Sequence, residues 1–597
     1  MADEPKAPQQ ADWLKAFDKD GPWAEIASHS QNVMAQFFRQ ATEATALTPS
    51  MSQGGLTAFA NLFESFLRNP QKIADAQTEL LRKQGELLTH IMAKAGVAPE
   101  AQSLPSVKDR RFRSEEWDKN LACNALMHSY LIGSEWLRGL VADNGEALTP
   151  RDRKNVAFYT NQMIDAASPG NFLLTNPDAL KKTVESGGEN LVKGLSNLLA
   201  DFASGAGHVR RADESAFELG KTIAATEGSV VLRTPMMELL QFEPSTPQVH
   251  AVPLMLIPPW VNKYYLFDLQ KKSSFIKWAV DQGFTVFAIS WVNPDESYAA
   301  KDFQDYWLEG PAAAFEAIEK ITGQRHVNLI GYCLGGTLTV SGLACLAGQN
   351  DDRVSSATMV ATLTDFSDFG DFEVFVTEDQ IDTIGSYLAS KPTLDAGDLS
   401  RLFSLLRAND LIWSSAISSY LLAEDAVASD LLYWFSDGIG MPTKMLDTFL
   451  RKVILANDLT KPGALKFGET PLDLRKIATP LYFVSLKDDH VAHWEQTYRG
   501  AQNFTAPKTF VLGGSGHNAG TINPPAANKH GYWTNPEFSS TPEAWFAKAE
   551  RREGSWWILW SQFLRDHSGP LVEARAVAAG PLPVLEPAPG SYARLRR

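Results

Sequence analysis

The stretch NLIGYCLGGTL, Asn328 to Leu338, sets a nucleophile in a context that suits one. An apolar run leads into Gly331-Tyr332-Cys333-Leu334-Gly335, and small residues follow. Gly-x-nucleophile-x-Gly is the pattern of a sharp strand-to-helix turn that lifts its central side chain clear of a sheet edge. That position usually holds serine; here it holds Cys333. A helix N-terminus and a nearby imidazole are what favour the nucleophilic thiolate of a cysteine. Cys123 and Cys345 lack this context and read as packing residues.

Partners for the thiol follow downstream. LYFVSLKDDHVAHW places Asp488 and Asp489 just after a strand-like run, and FVLGGSGHNAG places His517 in a Gly/Ser loop after the next. Nucleophile, acid and histidine in that chain order are the triad order of an α/β-hydrolase. An oxyanion hole needs two backbone N–H groups. One is that of Leu334, directly after the nucleophile, and the other comes from the loop after an earlier strand. LMLIPPWVNKYY lies where that loop belongs, and since Pro258 and Pro259 cannot donate, Trp260 or Val261 is the second donor. Asp488, Asp489, His490 and His493 could instead ligate a metal, but a local cluster with no distant third ligand explains neither Cys333 nor His517, and no metal is expected. GGSGHNAG lacks the spacing of a dinucleotide fingerprint.

The elements that must position these groups are legible in the hydrophobic periodicity. VPLMLIPP, FTVFAIS, HVNLIGY, SSATMVATL, LYFVSL and KTFVLGG are short β-rich runs separated by helical or loop segments, which implies a doubly wound, mostly parallel sheet over residues 231–597. Residues 1–230 read as a mainly helical N-terminal region. Within it Ile73, Leu80, Leu81, Leu87, Leu88 and Ile91 form a stripe at helical spacing, either a packing face or a contact surface for a partner. At about 364–447 the alternation lapses into a long helical insertion, a common form of active-site cap. A formal charge of −15 argues against a nucleic-acid surface, and three scattered cysteines make no disulfide framework. The polar, acidic start is no secretory signal, and the most apolar run, AVPLMLIPPWV, is too short and Pro-broken to span a bilayer, so a cytoplasmic protein is expected.

The series DRRFRSEEW, SPGNFLLTNPDAL, ESGGENLVKGLSNLL, PPWVNKYYLFDLQ, SWVNPDES, GYCLGGT, LLRANDLIW, LLYW, KDDH, GSGHNAG, NPPAANKHGYWT, GSWW and EPAPGSY resembles the class I polyhydroxyalkanoate synthases from about residue 105 onward. That resemblance implies polymerisation of (R)-3-hydroxyacyl-CoA, in particular short-chain 3-hydroxybutyryl-CoA, with release of CoA and no cofactor. It implies Cys333 as the acyl carrier, Asp489 as the acid and His517 as the base. A thiol suits this reaction because it exchanges one thioester for another and keeps the acyl group activated for attack by a 3-hydroxyl. The CoA phosphates call for basic residues, and Arg407 in LLRANDLIW is the candidate. The family also implies a homodimer on cytoplasmic polyester granules, attached through the helical region, with the growing chain and granule-associated proteins as partners. The text departs from the family at RANDLIWSSAISSYLL, at WFSDGIGMP and at Asn518, all near the cap or pocket. Rival readings are a polyester depolymerase or thioesterase with the same triad, and a non-catalytic granule coat.

Overall fold

The computed structural model describes residues 53–97, 99, 104, 107–144, 148–203, 212–376, 378, 381–382, 392–397 and 412–596. The chain divides into two compact units, Met1–Arg211 with Arg401–Val427, and Ala212–Ser400 with Ala428–Arg597.

In the first unit the long helices are α1 (Gln53–Arg68), α2 (Pro70–Lys94), α3 (Leu121–Asn144), α4 (Pro150–Ala166), α5 (Pro177–Glu185) and α6 (Glu189–Ala203). Local sequence sets several of these boundaries. The Thr149 hydroxyl accepts from the Asp152 amide and Asn176 Oδ1 from the amides of Asp178 and Ala179. Pro150 and Pro177 take the first helical positions, where no N–H is needed. Helix α2 lies against α3, with a hydrogen bond from Gln84 to Ser129 and an ion pair from Lys83 to Glu135. The apolar stripe on α2 divides: Leu87 is buried and Ile73, Leu80 and Ile91 are half-buried, whereas Leu81 and Leu88 are 64% and 59% exposed. Positions 73, 80 and 87 recur every seven residues and share a face; 81 and 88 lie about 100° further round.

The second unit holds an 11-stranded sheet. Its strands are β1 (Gly228–Arg233), β2 (Met237–Phe242), β3 (Leu254–Ile257), β4 (Val286–Trp291), β5 (Val327–Tyr332), β6 (Val354–Val360), β7 (Leu481–Leu486), β8 (Lys508–Gly513), β9 (Tyr532–Thr534), β10 (Glu550–Arg552) and β11 (Glu586–Pro587). They lie in the order β10-β9-β8-β7-β6-β5-β3-β4-β2-β1-β11. Strands β4, β3, β5, β6, β7 and β8 are mutually parallel and are the six runs expected from periodicity. All residues of β3, β4, β5 and β7 are buried, as both faces of a parallel sheet must be. The antiparallel strands at the two ends are shorter or carry polar residues, and their period is too brief to stand out in the sequence. After β3 the chain pairs β4 on one side and β5 on the other, so the topological switch point, where open α/β sheets keep their sites, lies at the carboxyl ends of β3 and β5.

Between β6 and β7 none of the described residues from 361 to 480 pairs with the 11-stranded sheet. The described residues from 412 to 427 of this insertion belong with the helical unit. Asn190 Nδ2 donates to the Leu421 carbonyl at 2.7 Å, and the Tyr420 hydroxyl donates to Asp201 at 2.9 Å, tying that segment to α6. The rest of the insertion, including the helix Asp430–Ser436, stays with the sheet.

Candidate active site

Cys333 stands between β5 and the helix Leu334–Gly348, with φ 51° and ψ −122°. A positive φ is costly for a residue with a Cβ, and the surroundings hold it in place. The Cys333 amide donates to Val360 O on β6 at 2.9 Å, while Cys333 O accepts from the amides of Gly336 and Thr337. The flanking glycines are required by close approach: a Cβ on Gly335 would stand 2.2 Å from Ile257 O, and one on Gly336 1.9 Å from Thr362 Oγ1. Contact of Gly335 with Ile257 and Pro258 also brings the loop after β3 against the start of the nucleophile helix.

His517 opens the short helix His517–Thr521 after β8, and Asp489 follows β7. Both are buried, and His517 Nδ1 lies 2.7 Å from Asp489 Oδ2. Cys333 also acts on the ring, through its charge and a side-chain hydrogen bond. Asp489 Oδ1 accepts from the amides of Val491 and Ala492 at 2.8 and 2.9 Å, so both carboxylate oxygens are occupied. Burial alone would lower the affinity of His517 for its proton. The charges of Asp489 and Cys333, with hydrogen bonds to both, outweigh it, and the ring is pushed up to about 10. Asp488 is exposed and meets the site only through its amide, which donates to Ser515 O.

Among the described residues the amides of Leu334, Trp260 and Val261 donate to no other group. The Trp260 side chain is fully buried among Phe303, Tyr306 and Phe449. Val261 O accepts from the Ile439 amide, so the loop is strapped to the insertion. Arg407 lies outside the described residues. No group of three or more metal-ligating side chains occurs among the described residues.

Several positioning groups carry no motif of their own. The indole N–H groups of Trp556 and Trp557 donate to Gly520 O and Thr521 O at 2.9 and 3.0 Å, clamping the end of the His517 helix. The Tyr332 hydroxyl donates to Asn518 Oδ1 at 2.6 Å, and its ring lies 5.1 Å from that of His517. Asn518, which departs from the family text, is thus the link between the elbow and the histidine helix. Only pairing of a Tyr in one segment with an Asn in another could have flagged it, and no spacing rule does so.

Residues 108–279 match the family model described as the N-terminus of poly-beta-hydroxybutyrate polymerase (PhaC), and residues 267–524 match that of the alpha/beta hydrolase fold. The poly(3-hydroxyalkanoate) polymerase subunit PhaC of Rhizobium meliloti is 40% identical over 94% of this chain and 91% of its own. The chain belongs to the poly(3-hydroxyalkanoate) polymerase family. The polymerase of Methylorubrum extorquens is 37% identical over 96% of this chain and 98% of its own, and the PhaC subunit of Cupriavidus necator 37% over 93% of each. Membership of this family gives the geometry above a chemical context: the elbow thiol, the buried histidine and the carboxylate stand at the carboxyl edge of an α/β-hydrolase sheet. No helix among the described residues is long and apolar enough to cross a membrane.

Proposed function

We propose that the protein polymerises 3-hydroxyacyl-CoA into polyester through a thioester on Cys333. The observation that carries this reading is the chain of contacts Cys333–His517–Asp489, with the thiol on a strained turn at the sheet edge. His517, oriented by Asp489, takes the proton of the Cys333 thiol. The sulfur attacks the thioester carbonyl, and the amides of Leu334 and of Val261 or Trp260 receive the oxyanion. CoA leaves with the proton from His517, and the acyl group rests on Cys333.

Acylation also changes the histidine. The charge on Cys333 and its hydrogen bond are two of the causes that raise the proton affinity of His517, and both vanish when sulfur becomes a thioester. The ring, having given its proton to CoA, is then a neutral base for the 3-hydroxyl of the next unit. That oxygen attacks the Cys333 thioester, forms the ester and restores the thiol. Asp489 orients the ring and does not reach the hydroxyl, since its side chain is wholly buried and both oxygens are engaged. The insertion would exclude water, which otherwise competes at about 55 M for the acyl group.

Attachment to cytoplasmic polyester granules and self-association as a dimer belong to the same reading; the exposed Phe63, Leu67, Leu81 and Leu88 of α1 and α2 supply apolar surface for them. Mixing the purified protein with 3-hydroxybutyryl-CoA tests the proposal. The expected result is CoA release after a lag, growing turbidity, an acyl adduct on Cys333 and ester-linked product. Free 3-hydroxybutyrate in proportion to CoA, in a clear solution, would instead make the protein a thioesterase.

A further inference from the structure

The loop after β3, Pro258 to Lys263, carries the two candidate oxyanion amides, those of Trp260 and Val261, and it holds itself weakly. Among the described residues its only internal backbone bond runs from Asn262 N to Pro259 O, at 3.4 Å. Other segments supply the rest. Val261 O accepts from Ile439 N at 2.9 Å, Asn262 bridges Gly438, and the Trp434 indole N–H donates to Lys263 O at 2.8 Å. The Lys263 side chain adds a further tie. The residue is 1% exposed, and its ammonium donates to the carbonyl groups of Tyr592 and Leu595 at 2.9 and 2.8 Å.

Tyr592 and Leu595 lie at the end of the short helix Gly590–Arg594, where backbone carbonyl groups are left without α-helical partners. That end is fixed in its turn. Tyr592 N donates to the buried Glu238 at 3.0 Å, and the Arg596 guanidinium donates to Glu214 and to the Tyr433 hydroxyl, each at 2.8 Å. Burying an ammonium is costly even when it is bonded. Burial pulls Lys263 down to about 8, against the opposing charge of Asp437. An apolar side chain of the same length would fill this space at less cost, as replacements of buried ions often do. What lysine adds is direction, because its donors fix the loop on two defined carbonyl groups. The loop in turn abuts the nucleophile: a Cβ on Gly335 would stand 2.7 Å from Pro258 O. A shift of the loop is therefore a shift of its amides relative to Cys333.

We propose, resting on the polymerase reading, that Lys263 is a positioning residue for acyl transfer. Its ammonium on the chain's last turn and its carbonyl on Trp434 together set the Trp260–Val261 segment, so that an amide there meets the oxyanion formed at Cys333. Lys263 touches no reacting atom in this role. It acts through the loop, and its effect is confined to reactions that pass through an oxyanion.

Lys263→Met keeps most of the length of the side chain and removes its charge and both bonds. Two reactions at Cys333 are compared in wild type and variant. Single-turnover acylation by 3-hydroxybutyryl-CoA passes through an oxyanion; in alkylation by iodoacetamide the sulfur displaces iodide and no oxyanion forms. Displacement of an oxyanion donor by up to about 1 Å predicts maximal acylation slowed about ten- to hundredfold. The half-saturating substrate concentration and the alkylation rate should each change by no more than about twofold. Equal slowing of both reactions would show that Lys263 supports the thiol or the fold in general, and would overturn the proposal. Unchanged maximal acylation would overturn it as well. Should Lys263→Met fail to fold, Trp434→Phe releases the carbonyl of the same residue, leaves its ammonium in place and must show the same contrast between the two reactions. Failure of the polymerase reading itself shows separately, as absence of ester-linked product from the wild type.

Discussion

The contrast between the two adjacent aspartates gives the sharpest test of the triad. In Asp489→Asn the side-chain oxygen still accepts from Val491 and Ala492, but the group facing His517 Nδ1 becomes an uncharged NH2. Two effects follow. The ring must turn Nδ1 into an acceptor, which places its proton on the side facing Cys333 and spoils its action as a base. The imidazolium also loses its buried counter-charge. For charges about 4 Å apart at an effective dielectric of about 20 the interaction is about 4 kcal/mol, and that corresponds to about three decades in rate. Asp488→Asn removes an exposed carboxylate and leaves the amide bond to Ser515 intact, so a change of about twofold or less is expected. The assay is CoA release from 3-hydroxybutyryl-CoA, with single-turnover acylation and thermal unfolding measured beside it. An Asp489→Asn enzyme that keeps more than about a tenth of the wild-type rate, or an Asp488→Asn enzyme that is the slower, would refute the assignment.

Cys333→Ala should abolish CoA release, whereas Cys123→Ala and Cys345→Ala should retain most of it, because burial pushes both of those thiols up and neither lies on the elbow; substantial turnover by Cys333→Ala would remove the mechanism. Trp557→Phe strands the buried Thr521 carbonyl, a loss of about 1–3 kcal/mol, and should slow turnover through His517 more than it weakens substrate binding, read as kcat against KM. Gly336→Ala should fail to accumulate as folded protein, since its Cβ would overlap Thr362, and a stable, active variant would contradict the close packing of the elbow. The pKa of His517 is raised on folding, so its protonation stabilises the native state fully below about pH 6.5 and this contribution is lost as pH rises through about 10. The difference in unfolding free energy between wild type and His517→Gln should therefore shrink between these limits, and a difference that grows with pH would show the sign to be wrong.

The parallel heart of the sheet and the nucleophile were legible in the sequence for a local reason. A strand buried on both faces must be apolar throughout, and a turn with a positive φ beside close backbone contacts must be flanked by glycine; both constraints act within about ten residues of chain. Chain order then singled out His517 and the Asp488–Asp489 pair. Choosing between the aspartates from the residues alone was out of reach, because adjacent side chains differ only in which way each points. Tertiary structure separates the two, burying Asp489 on two amides beside His517 and leaving Asp488 in solvent. The same holds for the clamp of Trp556 and Trp557 on the histidine helix and for the bond between Tyr332 and Asn518. Each joins segments 30 to almost 200 residues apart, and only the path of the folded chain brings such groups within the 3 Å at which a hydrogen bond acts.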